Sequence, residues 1–284
     1  MPSEKRSICS RERKGGAPGR WFSSRSLTHR EIQLFSRNGL SNNLSGLGLG
    51  TSLTQIEVSQ LGRTRYAEAW ELQRRLFELC QRGVVGDLLL LTEHEPVYTL
   101  GKGGDQNHLL ASDSELSKDG TEVFRIDRGG DITYHGPGQV VGYPILNLQH
   151  YSPDIHKYLR NLEEVIIRAL AGFDIRSGRE EGMTGVWVQG EKIAAIGVKV
   201  SKWVTMHGFA LNVNTDLRKF DRIIPCGIFH KGVTSMERIL GRNIPLADVE
   251  AKLKESFSEV FGCKSVAVTP DVLKERVRSH PQLT

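Results

Sequence analysis

The sequence predicts an α/β fold of the α+β type, with mixed, largely antiparallel sheets packed by helices. Three observations carry this expectation. Hairpin-spaced strands dominate residues 185–214, three amphipathic stretches have helical spacing, and strands and helices alternate without the regular βαβ period of a doubly wound sheet. One domain is expected over residues 54–265, between a basic leader at 1–53 and a tail at 266–284 with room for a short helix.

The 284 residues are enough for a sizeable core, and 38% hydrophobic with 25% charged residues is the composition of an ordinary soluble protein. The longest apolar runs reach about half a bilayer span, so no transmembrane helix and no membrane partner are expected. Cys9, Cys80, Cys226 and Cys263 are widely spaced, with no CxxC pair and no Cys/His cluster at metal spacing. That excludes a disulfide framework or zinc site as the organising feature and suits a reducing compartment, so no metal and no cofactor are expected.

The net charge of +5 is local. Residues 1–50 hold nine Lys/Arg against three Glu, leaving 29 basic and 30 acidic residues elsewhere. A basic pI therefore gives no support to nucleic-acid binding by the folded part. The leader is rich in Ser, Gly and Arg without sustained periodicity, and reads as disordered. Cytoplasmic localisation is expected, the alternative being a mitochondrial or plastid protein if residues 1–50 are a transit peptide.

From Thr54, TQIEVSQL alternates as a strand does, and Arg65 to Cys80 places Tyr66, Ala69, Trp70, Leu76, Phe77 and Cys80 on one helical face. Cys80 is thus a core residue, while Arg65, Arg74, Arg75 and Arg82 lie on the solvated face. DLLLLTEHEPVYTLGKGG gives a buried strand, a break at Pro96 and a second extended piece; its glycines form a loop or line a pocket. A short helix follows near Ser112 to Ser117, then a strand over EVFRIDR. Ser152 is the expected N-cap and Pro153 the first residue of a helix whose stripe runs Ile155, Tyr158, Leu159, Leu162, Val165, Ile166, Ala169 and Leu170. Leu246 to Phe261 forms another helix capped by Gly262, with Cys263 structural.

Two stretches carry chemistry. RGGDITYHGPGQ, Arg128 to Gln139, packs four glycines, an arginine and a histidine into twelve residues. It is neither a dinucleotide nor a P-loop fingerprint, and its spacing fits a glycine-rich pocket wall or a tight hairpin equally. Gly185 to Gly232 begins with a hairpin, Gly185–Val188 and Lys192–Val200, turning at Gln189-Gly190-Glu191. A strand over Thr205–Asn214, broken at Gly208, then leads to Cys226 in Ile-Pro-Cys-Gly. A thiol is mostly un-ionised at neutral pH, and an ammonium within a few ångströms favours the thiolate. Such a cysteine exchanges readily with thioesters, and an amine then takes the acyl group downhill to an amide. A Lys–Cys pair suits acyl transfer between thiols and amines.

Arg128–Leu148, Thr184–Val204, His207–Asn214 and Ile223–Gly232 together resemble the lipoate-pathway octanoyltransferases over nearly all of residues 54–262. The resemblance implies a catalytic domain like that of biotin and lipoate ligases. It also implies transfer of an octanoyl group from octanoyl-acyl carrier protein to a lysine on lipoyl domains of 2-oxoacid dehydrogenase E2 subunits and on the glycine-cleavage H protein. By the same resemblance Cys226 carries the acyl thioester and Lys192 lowers its pKa and moves protons. Substrate contacts then fall on Arg128, Gly129, Gly130, Asp131, Ile132, Thr133, Tyr134 and His135, on Ala195, Ile196 and Gly197, and on Gly208, Phe209 and Ala210. Phe209 and Ile196 are apolar contacts for an eight-carbon chain, and the arginines near Arg74 are candidates for steering an acidic carrier protein.

Overall fold

The computed structural model describes residues 54–224 and 232–281. The leader, including Cys9, and the segment 225–231 with Cys226 lie outside the described residues.

The chain opens with β1 (Thr54–Thr64), α1 (Tyr66–Gln81) and β2 (Asp87–His94), followed by the short elements β3 (Val97–Leu100), α2 (Asp113–Lys118), β4 (Glu122–Arg125) and β5 (Ile132–His135). β6 (Gln139–Ile145) leads into α3 (Ile155–Ala171), and a run of strands follows: β7 (Gly178–Glu180), β8 (Met183–Val188), β9 (Glu191–Ser201) and β10 (Val204–Asn212). The described chain ends with α4 (Met236–Leu240), α5 (Leu246–Phe261), β11 (Cys263–Ala267) and α6 (Pro270–Arg278). Eight strands form one sheet in the order β11-β1-β2-β6-β10-β9-β8-β7, parallel at the β11-β1-β2 edge and antiparallel in every other pairing. β4, β3 and β5 form a second, smaller sheet.

Both faces of the large sheet are covered, which is why β2 reads as an unbroken leucine run. Leu89 and Leu91 join the cluster built on α3 and α5, while Leu88 and Leu90 join the one built on α1 and α6. β10 divides likewise, Phe209 and Leu211 on one side and Met206 and Ala210 on the other. The tail beyond residue 265 packs with this unit: β11 pairs in parallel with β1, and Leu273 of α6 is fully buried beside α1. Among the described residues no helix is long and apolar enough to cross a membrane.

Three local expectations are corrected. The N-cap of α3 is Asp154, whose carboxylate accepts from Lys157 N at 3.1 Å; Pro153 precedes the cap, and Ile155 is exposed in the first turn. A carboxylate there also complements the helix dipole, which Ser152 could not do. The β8–β9 turn is Gln189-Gly190 alone, both with positive φ (49° and 83°), because such a two-residue turn matches the twist of the strands it joins. β10 is not broken at Gly208, which pairs with Gly197 of β9; its ladder with β6 begins only at Phe209.

Leu162 of α3 has no exposed surface. Leu162→Ala is expected to lower unfolding stability by about 2–5 kcal/mol, whereas Ile155→Ala should change it by less than about 0.5 kcal/mol. Urea denaturation of the two variants beside the parent checks the pair.

Candidate active site

One cavity of about 510 Å³ opens where the 126–133 segment meets β8, β9 and β10. Arg128, Gly129, Gly130, Asp131, Ile132, Thr133 and His135 line one wall, and Ala195, Ile196, Gly197, Gly208, Phe209 and Ala210 another. Lys192 lines it too, together with Gly232 and Val233, where the described chain resumes. Tyr134 does not. Alternation along β5 turns its ring into the cluster of Tyr98, Leu100 and Ile223, and its neighbour Phe220 meets it edge-on at 5.7 Å.

The Arg128–Asp131 loop is seated by backbone on both sides. Gly101 N donates to Asp131 O, Lys102 N to Arg128 O and Gly103 N to Gly130 O, at 3.2, 2.9 and 3.1 Å. A Cβ on Gly101 would sit 2.4 Å from Gly130 O. These glycines are therefore the seat of the loop, which resolves the two readings of that stretch. On the other side Gly129 N donates to Val198 O at 2.9 Å, and a Cβ on Gly197 would lie 2.9 Å from Gly129 O. Arg128 is buried, its Nη2 donating to Thr99 O and Oγ1 at 2.7 and 3.0 Å. Asp131 accepts from Ile132 N and pairs with His108 Nδ1 at 2.5 Å.

Lys192 stands second in β9. Its N donates to Gly232 O at 2.9 Å, and its C=O accepts from Thr234 N at 3.0 Å. Its Nζ lies 4.7 Å from the centre of the Trp187 ring, a cation–π contact with the residue paired opposite it. Gly185 leaves room for the stem: a Cβ there would be 3.3 Å from Lys192 Cε. Buried Glu163 of α3 holds that strand by accepting from Gly185 N at 3.1 Å, and is itself paired with Arg160 and Arg179. Cys226 lies outside the described residues; the last cavity-lining residue before it is Phe220 and the next after it is Gly232. Cys80 and Cys263 are buried in the core, and burial pushes their thiols up to about 12 and about 11, so neither supplies a thiolate.

Several lining residues were not among the expected contacts. Tyr66 and Leu159 come from helices that read only as packing elements, and Tyr143, Thr184 and Trp187 lie in the resembling stretches without being singled out as contacts. His207 is the most informative. It is buried with a positive φ of 60°, and its Nε2–H donates to Asp127 Oδ1 at 2.8 Å. Lys199 Nζ holds the other oxygen of Asp127 at 2.5 Å. The hydrogen bonds from His207 and Lys199 hold the Asp127 carboxyl well below the usual range, while burial holds His207 neutral. His207 opens the resembling stretch His207–Asn214; that its partner is the residue before Arg128 is a fact of the fold.

The profile of the family described as "Lipoyl protein ligase A/B catalytic domain" matches residues 65–258. The octanoyltransferase of Rubrobacter xylanophilus is 58% identical over 210 residues, 73% of this chain and 94% of that protein. This chain belongs to the lipoyl protein ligase A/B catalytic-domain family. The octanoyltransferase of Caldicellulosiruptor bescii is a further relative, 50% identical over 209 residues, 73% of this chain and 92% of its own. Among solved structures, lipoate-protein ligase A bound with ATP superposes with a TM-score of 0.61 at 14% identity, covering 80% of this chain and 93% of that one. A structure from the lipoylation system of Thermoplasma acidophilum gives 0.63 at 16% identity, covering 80% and 91%. At such identities these structures establish the lipoate-ligase-like fold and nothing finer.

Burial lowers His94 to about 4 and His135 to about 3, from an ordinary 6.5. A histidine depressed in the fold takes up its proton on unfolding, so stability is full above about 6.5 and is lost as pH falls toward the folded values. Between about pH 4.5 and 6 these two groups should add a slope of up to about 1.4 kcal/mol per pH unit each. Urea unfolding at stepped pH checks this, and His94→Gln should flatten the slope by about one proton.

Proposed function

We propose that this chain transfers an octanoyl group from octanoyl-acyl carrier protein to the lysine of lipoyl domains, through a thioester on Cys226. The observation that carries the reading is the juxtaposition of Lys192 with an apolar wall, Ile196, Phe209 and Ala210, in one cavity that the chain enters on both sides of the Cys226 segment. The octanoyltransferase relatives, matched over more than nine-tenths of their length, favour the same reaction class.

The cavity falls within the usual range for small-ligand sites. Burying an eight-carbon chain against Ile196 and Phe209 would contribute about 0.8 kcal/mol per methylene. The Cys226 thiolate attacks the thioester carbonyl, the carbon–sulfur bond to the carrier breaks, and the departing thiolate takes a proton from the Lys192 ammonium. A neutral amine of the lipoyl domain then attacks the acyl-cysteine. The new carbon–nitrogen bond forms as the bond to Cys226 breaks, and the amine proton passes by way of Lys192 to neutralise the leaving sulfur. Among the described residues no group of His, Cys, Asp and Glu is placed to hold a metal ion, and the proposed chemistry draws on none.

The acceptors are proposed to be E2 lipoyl domains and the glycine-cleavage H protein, and the compartment the cytoplasm. Sequencing the N-terminus of the mature chain checks the compartment, since cleavage near residue 50 would indicate an organelle. Intact mass after mixing with octanoyl-acyl carrier protein alone should show one octanoyl adduct, on Cys226. Its absence, or its presence elsewhere, overturns the reading, as would a requirement for ATP. Lys192→Ala should move the pH profile of iodoacetamide reaction at Cys226 to higher pH by about a unit or more. An unchanged profile would remove Lys192 from that role.

A further inference from the structure

His135 sits in a chain of hydrogen bonds whose polarity is set by two backbone carbonyls. Asn212 Nδ2 donates to Thr234 O at 3.0 Å. A backbone carbonyl can only accept, so Asn212 must present its NH₂ there and its Oδ1 on the other side. That Oδ1 accepts from Gln139 Nε2 at 2.9 Å, and the same Nε2 donates to Tyr134 O at 3.2 Å. Both Gln139 N–H bonds are thereby committed, and its Oε1 is turned to His135 Nδ1 at 2.8 Å. All three side chains are buried, so neither amide can turn over without setting acceptor against acceptor away from water. Nδ1 must therefore carry the proton, and Nε2, on the opposite side of the ring, is left with a bare lone pair.

The surroundings keep the ring neutral. Tyr66 of α1 stacks on it at 6.1 Å, and His94 of β2 lies 5.9 Å away, itself neutral, with Nδ1–H facing Thr64 O and Nε2 accepting from the Tyr143 hydroxyl at 2.6 Å. The charge of Arg128 and any charge on His94 or His207 oppose a proton on His135, and burial does so most strongly. The relay also reaches the lysine: Thr234, whose C=O anchors Asn212, donates its own N–H to Lys192 O at 3.0 Å. Thr234 thus anchors both the relay, through Asn212, and the backbone of Lys192, and His135 and Lys192 line one cavity.

We infer that Gln139 and Asn212 are positioning residues that lock His135 as its Nδ1–H tautomer, so that Nε2 meets the second substrate as a neutral hydrogen-bond acceptor for an N–H of the attacking amine. The assignment rests on the reaction proposed above. The acyl-cysteine offers only acceptors at its carbonyl and sulfur, whereas a neutral primary amine carries two N–H bonds beside its lone pair. Holding one of them turns the lone pair toward the carbonyl and adds no charge to oppose a nucleophile that must arrive uncharged. His135 takes no proton in this role; the amine proton follows the route through Lys192.

The test begins on the unmodified full chain. Side-chain ¹⁵N spectra, with His135 assigned by its loss in His135→Gln, should show a neutral ring protonated at Nδ1 across about pH 5–8. An Nε2-protonated or charged ring at neutral pH overturns the inference, whatever the reaction proves to be. Gln139→Glu keeps an acceptor for Nδ1–H but puts a carboxylate beside the ring, and should raise the His135 pKa. With acylation followed by intact mass and transfer followed on a lipoyl domain, aminolysis should fall at least tenfold more than acylation. It should recover toward alkaline pH as the ring loses its proton. Equal loss in both half-reactions, or a raised His135 pKa with aminolysis unchanged, overturns the assigned role. No acyl-enzyme in the parent would instead sink the proposed reaction and leave the tautomer measurement standing.

Discussion

Backbone packed against backbone, with no side chain between, is the constraint on which this site depends. The loop carrying Arg128 lies between the Gly101–Gly103 turn and β9, at separations that exclude a Cβ on Gly101 or Gly197. The seat is made of main-chain hydrogen bonds on both sides, which fix the loop whatever side chains it bears. With the backbone placed, Arg128 reaches Thr99 and Asp127 reaches His207, and the cavity wall becomes part of the sheet. Four glycines between Arg128 and Gln139 look like a ligand cradle in sequence; in the fold the glycines that let three segments of chain meet are Gly101 and Gly197, outside that stretch.

Electrostatics follows from that closeness. The strands and the tightly seated loop bury polar groups around the cavity, and burial decides which of them can carry charge. His94 and His135 are held neutral and act as fixed dipoles, and the Tyr143 hydroxyl is kept protonated by burial so that it donates to His94. Asp127 escapes because two donors, Lys199 and His207, stabilise its charge at the partly exposed edge. The polar groups around the cavity are thus sorted by burial into donors and acceptors of settled direction, a condition for electrostatic preorganisation.

Much of this was legible in the residues. Periodicity and caps located α1, α5 and the hairpin of β8 and β9, because those elements answer to local rules. The stretches Arg128–His135, Ala195–Gly197 and Gly208–Ala210 line one cavity with the single exception of Tyr134, whose alternation along β5 the motif could not convey. Pairings between segments were not legible. Nothing in the spacing joins Gln139 to Asn212, or Asp127 to His207, since each pair is separated by more than seventy residues, the first made by sheet register and the second by the seating of a loop on β10. The cap of α3 is not decided by residue type, because Ser152 and Asp154 could both serve and which one does depends on where the incoming chain turns.

The left-handed residue in β10 shows how such pairings build the cavity. Extending the register of Phe209 with Gly142 would set His207 opposite Pro144, which has no N–H to offer, so the β6–β10 ladder stops at Phe209. Beyond that point the Thr205 hydroxyl joins the pairing, donating to Pro144 O at 2.8 Å and accepting from Leu146 N at 3.0 Å, while Thr205 N donates to Leu146 O at 2.9 Å. Between the two regimes β10 must bend, and His207 takes the bend at φ 60° while Gly208 packs where any Cβ would meet Gly142 O at 2.2 Å. A non-glycine residue in that conformation costs about 1–3 kcal/mol. The charge-assisted bond to Asp127 offsets a cost of that size. Because Asp127 is the residue before Arg128, the strain in the strand is relieved by the same contact that anchors the loop, and the bend and the cavity wall hold each other in place.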